Sequence, residues 1–419
     1  MTKDLAVIGL GYVGLPLAQE AVKSGLSVIG YDLSERVIAG LSAGTSHVDD
    51  LSDADIAQMQ DKGFTATKDD QVLASAKAIV ICVPTPLSAD GGPDLSAVLG
   101  ATRTIAKNLV PGQLVVLEST TYPGTTEDVV KPILEEGGLV AGIDFYLAFS
   151  PERIDPGNKK FGMRNTPKVV GGINQASTDA AVSLYSKFVD TVVRAKGTKE
   201  AEMAKLLENT YRHINIALVN EMAMFCNDLG IDLWDVIKCA STKPFGFQAF
   251  YPGPGVGGHC IPIDPNYLSY QVKTNLGYPF KFVELAQEIN AGMPNYIIRR
   301  VQDLLNSAGK ALKGSTVLVL GVTYKPDIAD QRESPAIPIG LGLLEKGAKV
   351  LFHDPKVEVW KLDGKEINRT PDLISALKQA DITVVLQNHS SYKADELISN
   401  SQLLFDTRGQ LDHPEVERL

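Results

Sequence analysis

Leu5-Ala-Val-Ile-Gly9-Leu-Gly11-Tyr12-Val13-Gly14-Leu-Pro-Leu-Ala-Gln-Glu-Ala-Val-Lys-Ser-Gly-Leu-Ser27-Val-Ile-Gly-Tyr-Asp32 is the stretch that decides the fold. An apolar run of strand length, Leu5–Gly9, meets a Gly-x-Gly-x-x-Gly turn. Helical spacing follows over residues 13–24, and a second strand pattern runs from Ser27 to Asp32. Gly9 allows the tight turn, Gly11 lets a pyrophosphate approach the backbone, and Gly14 lets the helix pack close to the strand. Tyr12 and Val13 complete the turn, and the helix N-terminus faces the phosphates. Asp32 follows Gly14 by 18 residues, where a carboxylate accepts hydrogen bonds from a ribose 2′-hydroxyl. It repels a 2′-phosphate and so favours NAD over NADP; Arg36 weighs mildly the other way.

Working outward, strand-length apolar runs recur at Ala78–Val83, Gln113–Glu118 and Phe145–Phe149, with Lys168–Gly171 weaker. Helical patterns separate them, as in a parallel sheet with crossover helices. From Thr198 to Ala240 the sequence is helix-compatible, and Ala201–Leu229 lacks Pro and Gly. A second helical block, Phe282–Ser307, is interrupted by Gly292 and Pro294. Between them lies a Gly/Pro-rich loop from Tyr251 to Pro265, too dense in turn residues for regular structure. The alternation returns with Ser315–Leu320, Ile337–Lys346, Lys349–Asp354, Ile382–Leu386 and Leu403–Phe405. The expected class is α/β, with two Rossmann-like, doubly wound parallel-sheet domains (1–197 and 309–419) joined by a central helical domain (198–308). In the second copy the turn reads Gly321-Val-Thr323, and a pyrophosphate is not expected there.

The chain has 419 residues, 44% of them hydrophobic and 21% charged, with a net charge of -10. No Lys/Arg-rich run marks a nucleic-acid partner, and no stretch nears the roughly 20 apolar residues of a membrane helix. The N-terminal apolar run is too short for a signal peptide, so a cytoplasmic location is expected. Cys82, Cys226, Cys239 and Cys260 show no C-x-x-C spacing. The first three sit in apolar strand or helix patterns and read as packing residues. Cys260, in Gly257-Gly258-His259-Cys260, has flanking glycines that leave room around the sulfur; a thiolate there is a candidate nucleophile, although spacing shows no base. One Cys and one His fall short of a tetrahedral set, so no metal is expected. Ser150-Pro-Glu152-Arg153 follows a strand at the end where open sheets bind ligands. Lys205 and Asn209 lie four apart on one helix face, and from their chemistry alone a solvated surface stripe is the expected reading.

Together these segments resemble the UDP-glucose/GDP-mannose dehydrogenase family. The resemblance runs in order through Gly9–Gly14, Val83-Pro84-Thr85-Pro86, Glu118-Ser119-Thr120-Thr-Tyr-Pro-Gly-Thr125, Ser150–Arg153, Lys205–Glu221, Gly255–Pro265 and Tyr324–Ser334. It implies oxidation of a nucleotide-sugar C6 alcohol to a carboxylate with two NAD⁺ per substrate. By resemblance Cys260 is the nucleophile, Lys205 and Asn209 stabilise oxyanions, Asp264 and Thr120 position water or relay protons, and Glu152 is the hydrolytic base. Pro84, Thr85, Ser119 and Thr120 border the nicotinamide, and Arg332 reaches NAD. Lys325 and Arg408 resemble substrate contacts alongside Glu152 and Arg153, and Tyr251, Gly255 and Gly257 belong to the uridine-side loop. His259 and Ile263 depart from the Gly-Gly-Ser-Cys-Phe-x-Lys-Asp pattern. They are similar instead to the branch acting on UDP-N-acetylhexosamines, with UDP-N-acetylglucosamine the expected substrate and UDP-N-acetylmannosamine or UDP-glucose the alternatives. Lys243 lies only near the position of the family's partner-subunit arginine, and Pro156 replaces a second Glu.

A homodimer or larger homo-oligomer is also expected. Ala204, Leu207, Tyr211, Ile214, Leu218, Met222 and Phe225 fall on one helical face, spaced by threes and fours. Ile216, Ala217, Val219, Ala223 and Met224 widen the apolar surface beyond one stripe, and the family uses this helix as a dimer core.

Overall fold

The computed structural model describes residues 2–48, 50–88, 92–155, 158, 160–258 and 261–419. His259, Cys260 and Pro156 lie outside the described residues. The chain gathers into two units, residues 1–208 with 266–271, and residues 209–265 with 272–419.

In the first unit, β1 (Lys3–Ile8) leads through the glycine turn into α1 (Gly14–Lys23) and β2 (Val28–Tyr31). There follow α2 (Glu35–Ser42), α3 (Asp53–Asp61), β3 (Thr65–Thr67), β4 (Ala76–Ile81), α4 (Ser96–Asn108) and β5 (Leu114–Leu117). The unit continues with α5 (Lys131–Leu134), β6 (Tyr146–Phe149), β7 (Lys168–Gly172), α6 (Gln175–Tyr185) and β8 (Val192–Arg194). The sheet order is β3-β2-β1-β4-β5-β6-β7-β8. Its first six strands have the order of a dinucleotide-binding sheet. Alternate residues of β1 feed two cores: Leu5 and Val7 pack with Leu15, Leu17, Ala18 and Ala21 of α1, whereas Ala6 and Ile8 share a cluster with Val98, Ala101 and Ile105 of α4. Burial on both faces is why these strands read as continuous apolar runs.

The sheet is not wholly parallel. β7 pairs antiparallel with β6, and among the described residues between them no crossover helix of the kind a parallel neighbour needs is found. The edge strands β3 and β8 have three residues each, too few to show a period.

The long helix α7 (Thr198–Leu229) passes from the first unit into the second. It is followed by α8 (Leu233–Ala240), α9 (Asp264–Leu276) and α10 (Lys281–Ser307). α10 runs unbroken through Gly292 and Pro294, contrary to the expected interruption. Pro294 is itself buried with Met293, Ile297, Ile298 and Val301, and this packing outweighs the roughly 3 kcal/mol cost of an internal proline. A second sheet follows: β9 (Thr316–Leu320), α11 (Ala336–Glu345), β10 (Lys349–His353), the hairpin β11 (Val359–Leu362) and β12 (Lys365–Asn368), α12 (Leu373–Gln379), β13 (Ile382–Val385), α13 (Ala394–Asn400), β14 (Leu404–Asp406) and β15 (Val416–Arg418). Its order is β10-β9-β13-β14-β15, all parallel. The hairpin turns at Asp363-Gly364, with Gly364 at φ +76°; this Asp-Gly signal was not read from the sequence.

The two sheets reuse one device. Leu10 N–H donates to Asp32 Oδ2 at 2.8 Å, and Val322 N–H donates to Asp354 Oδ2 at 2.8 Å. Each carboxylate's second oxygen takes the N–H two residues on, from Ser34 or Lys356. The copies then part. Beside Asp354 stands buried His389, its Nε2 2.9 Å from the carboxylate and 3.4 Å from Thr323 Oγ1. Asp327 N–H donates to His389 Nδ1, so the ring proton sits on Nε2 and points at Asp354. The turn that Gly11 leaves open is filled in the second copy by Thr323 and His389.

Candidate active site

The glycine turn fits a dinucleotide. Gly9 has φ +88°, and a Cβ there would lie 2.7 Å from the Cys82 carbonyl oxygen; at Gly14 a Cβ would lie 1.9 Å from the Gly9 carbonyl oxygen. Those two glycines are required by the chain itself. Gly11 differs, since a Cβ there would meet nothing within 4 Å, so the backbone of the turn is open on that side. The first turn of α1 holds no acidic residue, which leaves its N-terminal dipole available to an anion. Tyr12 and Arg36 are exposed, Val13 is half-buried and caps α1 without a side-chain bond, and Leu33, beside Asp32, is 73% exposed. The sequence reading did not single out Leu33, although an apolar residue next to Asp32 is readable there.

The segments following β4 and β5 are laced together at the carboxyl ends of adjacent strands, where open α/β sheets bind ligands. Ser119 Oγ donates to Val83 O at 2.7 Å, and Thr85 Oγ1 to Thr120 O at 2.8 Å. Tyr267 OH donates to Thr85 O, and Pro84 is exposed. Glu202 of α7 supports the same region. Its carboxylate accepts from Gly124 N at 2.6 Å and from Thr126 N and Oγ1 at 2.9 and 2.7 Å. It therefore ties the Ser119–Thr126 segment to the helix that carries Lys205. The sequence reading missed Glu202, because a Glu on a helix gives no sign that it is buried.

Burial raises the Glu202 carboxyl from 4.5 to about 7, against the pull of those donors. A carboxyl whose folded pKa lies above its unfolded one binds its proton more tightly when folded. Its contribution to stability is therefore fullest below pH 4.5 and falls as pH rises to 7. Urea unfolding from pH 5 to 8 is expected to show the native chain losing on the order of 1–3 kcal/mol relative to Glu202→Gln, which does not titrate. Parallel pH profiles for the two chains would contradict this.

Also in the first unit, Lys205 is 7% exposed and its Nζ donates to the Glu152 carbonyl at 2.5 Å. A buried ammonium is no solvated stripe. Arg153 is committed within the protein, to Glu208 at 2.8 Å and to Pro167 O at 2.6 Å, so it braces the strand-end loop. Glu152 turns its carboxylate inward, toward Ile154 N–H at 2.5 Å and Lys168 at 3.5 Å.

In the second unit, Asn209 Nδ2 donates to Asp264 Oδ2 at 2.5 Å, and both residues are buried. Asp264 opens α9. Asn220 accepts from Gly253 N at 2.9 Å and donates to Asn290 at 2.9 Å, which anchors the Gly/Pro loop to α7 and α10. A Cβ on Gly253 would lie 2.8 Å from an Arg408 nitrogen, and one on Gly257 would lie 2.6 Å from Glu333 O and 2.9 Å from Tyr324. Gly255, at φ +134°, sits against Pro335. The loop's glycines are thus where cationic and aromatic side chains approach its backbone. Arg408 donates to Leu386 O at 2.8 Å; burial lowers it to about 10, which leaves it charged at neutral pH. Tyr251 is exposed and stacks on Trp234 at 6.0 Å and 12°. Lys325 is half-buried. Arg332 is exposed, held by two bonds to Asp330 at 2.9 and 2.7 Å. Asp327 and Glu333 both have positive φ, at 65° and 52°, so this segment is strained on both sides of Arg332.

Cys82 and Cys226 are buried as expected, but Cys239 is exposed, its thiol 3.8 Å from Asp235; it lies on the outer side of α8. Among the described residues no group of three His, Cys, Asp or Glu could hold a metal, and no helix is long and apolar enough to cross a membrane.

Comparison with known proteins gives the same outline. Residues 3–189 match the NAD binding domain of the UDP-glucose/GDP-mannose dehydrogenase family, residues 199–292 its central domain and residues 318–413 its UDP binding domain. The chain is 35% identical to the UDP-N-acetyl-D-mannosamine dehydrogenase of Methanococcus maripaludis, over 98% of this chain and 94% of that one. It is 37% identical to the UDP-N-acetyl-D-glucosamine 6-dehydrogenase of Pseudomonas aeruginosa, over 85% and 84%. The UDP-D-ManNAc dehydrogenase structure from Pyrococcus horikoshii matches with TM-score 0.89 and 32% identity, covering 99% and 98% of the two chains. With all three domains in order and the nucleotide-binding turn built as described, the chain belongs to the UDP-glucose/GDP-mannose dehydrogenase family of NAD-dependent oxidoreductases.

Proposed function

We propose that the protein oxidises the C6 alcohol of UDP-N-acetylglucosamine to the carboxylate in two steps, through a thioester on Cys260. The observation that carries this reading is the pair of buried donors on α7. Lys205 and Asn209 lie four residues apart on α7, each buried and held by one partner, Glu152 O and Asp264 respectively. Fixed donors away from water are what a developing oxyanion requires.

Bound NAD⁺ supplies the acceptor for one hydride from C6 in each oxidation. The glycine turn and α1 would hold its pyrophosphate, with Asp32 at the ribose and Thr85, Ser119 and Thr120 bordering its reactive end. The chain's own residues do the rest. The Cys260 thiolate adds to the C6 aldehyde and forms a C–S bond; Lys205 and Asn209 stabilise the resulting oxyanion. Loss of hydride from that adduct leaves a thioester. Water then adds to its carbonyl, giving a proton to Glu152; the C–S bond breaks and the electron pair returns to sulfur as thiolate. Asp264 and Thr120 order the water and relay protons. Lys325, Arg408 and the Tyr251–Gly257 loop take the UDP.

UDP-N-acetylmannosamine is the second reading, supported by the mannosamine relatives that match along nearly the full chain. Rates of NADH formation with the glucosamine, mannosamine and glucose nucleotides separate them. The glucosamine sugar is expected to give the highest kcat/KM, and a preference for either other sugar would replace it.

A homodimer or larger homo-oligomer belongs to the same proposal. Leu207, Tyr211, Leu218 and Phe225, four members of the stripe expected on α7, are exposed, Leu207 at 64% and Leu218 at 53%. Ala217, Val219, Ala223 and Cys226 on another side are buried. An exposed apolar stripe of this length marks an association surface, and a second copy presenting the same stripe would cover it. Light scattering at micromolar concentration is expected to give at least twice the single-chain mass, and one chain's mass for Leu207→Glu with Leu218→Glu. A fully active single chain would contradict this.

A further inference from the structure

We infer that Lys168 is a positioning residue for Glu152: shared between Glu152 and Glu118, its buried ammonium orients the Glu152 carboxylate as the base for thioester hydrolysis. The inference rests on the proposed role of Glu152 and adds a residue to it.

Lys168 opens β7 and is 4% exposed. Its Nζ lies 2.7 Å from Glu118 Oε2 and 3.5 Å from Glu152 Oε2. Glu118, at the end of β5, is 1% exposed, and its other oxygen accepts from Tyr185 OH of α6. Lys168 Nζ also stands 5.2 Å from the centre of the Tyr185 ring. Glu152 has one oxygen on Ile154 N–H and the other toward Lys168, while Lys205 grips its carbonyl. The remaining titratable neighbour is Cys82, whose thiol burial pushes well above its ordinary range, so it stays neutral.

Between them the two carboxylates share one ammonium, that of Lys168, in a buried space; Lys205 reaches Glu152 only at its carbonyl. Ion pairs are not placed there cheaply: burying a charge costs several kcal/mol unless it is paired. A structural purpose would need only one Lys–Glu pair. The second carboxylate is the one that resemblance makes the base, and it stands at the open end of the network. Burial drives the Glu118 carboxyl up; it works to lower the Lys168 ammonium, but the Glu118 and Glu152 carboxylates outweigh it and hold that group above its ordinary value. The ammonium therefore stays charged. Without Lys168, the Glu152 carboxylate would lose the cation that orients its Oε2 and shields it from Glu118, leaving only Lys205 on its carbonyl.

Stopped-flow NADH absorbance reports the two oxidations, and intact-protein mass after rapid quenching reports the acyl-enzyme. The native enzyme is expected to release two NADH per site in one turnover with little adduct; one NADH would end the thioester reading and leave Lys168 a separate matter. Lys168→Met is expected to complete both oxidations, accumulate the acyl-enzyme, and move the acid limb of the kcat–pH profile up by about one unit or more. Lys168→Arg should restore most of the hydrolysis rate. Equal slowing of oxidation and hydrolysis, or an unmoved acid limb, would overturn the inference. Should Lys168→Met not fold, Glu118→Gln decides: with the ammonium left to Glu152 alone, the acid limb should move down by about half a unit or more, and an unmoved limb overturns the proposal.

Discussion

Cys260→Ser is expected to lose about a thousandfold or more in turnover while binding NAD as tightly as the native chain. The reason is the leaving group. Hydrolysis must expel the residue that held the acyl group, and a thiolate leaves readily where a serine alkoxide does not. The serine is also a weaker nucleophile toward the aldehyde, since its hydroxyl stays protonated at neutral pH whereas a cysteine thiol is partly ionised. Titration of NAD by intrinsic fluorescence serves as the internal control. Turnover within tenfold of native, using about 1.4 kcal/mol per factor of ten as the scale, would remove Cys260 from the chemistry.

Lys205→Met comes next in size. Methionine keeps the length and apolar stem and removes only the charge. Loss of one preorganised oxyanion donor costs about 10²–10³ in kcat, and that range is expected here, with KM little changed. The Lys205 Nζ also holds the Glu152 carbonyl, so part of the loss should come from the loop that carries the base. Asn209→Ala separates the two contributions, because Asn209 donates to Asp264 and leaves the Glu152 loop alone. A Lys205→Met enzyme within about tenfold of native in kcat would assign Lys205 to structure.

The strand, glycine turn and helix at Leu5–Lys23 were legible because three separate constraints coincide there. An apolar run buried on both sides, glycines that the backbone demands, and a helix start each leave a distinct mark. Gly11 was legible only from its place in the Gly-x-Gly-x-x-Gly spacing, since nothing in the protein lies within 4 Å of a Cβ there. The second copy was equally clear up to Thr323, but its consequence was only half visible. His389, which fills that turn, lies 66 residues further along the chain, and sequence spacing carries no sign of such a meeting. α10 was misread at Pro294 because local propensity predicts a break, whereas burial of the surrounding residues decides otherwise.

At the candidate site, the residues that touch substrate or cofactor by resemblance were readable from motifs. The residues that hold them were not. Lys168 and Glu202 sit in unremarkable local sequence, and each becomes informative only when burial removes the water that would otherwise satisfy its charge. Glu118 was within a quoted motif, yet its partners Lys168 and Tyr185 come from other elements.

The central claim is a four-electron oxidation on one carbon, and counting NADH against a limiting amount of UDP-N-acetylglucosamine, with mass analysis of the product, tests it most directly. Two NADH per sugar and a product bearing a C6 carboxylate are expected. One NADH per sugar with free aldehyde in solution would contradict the account.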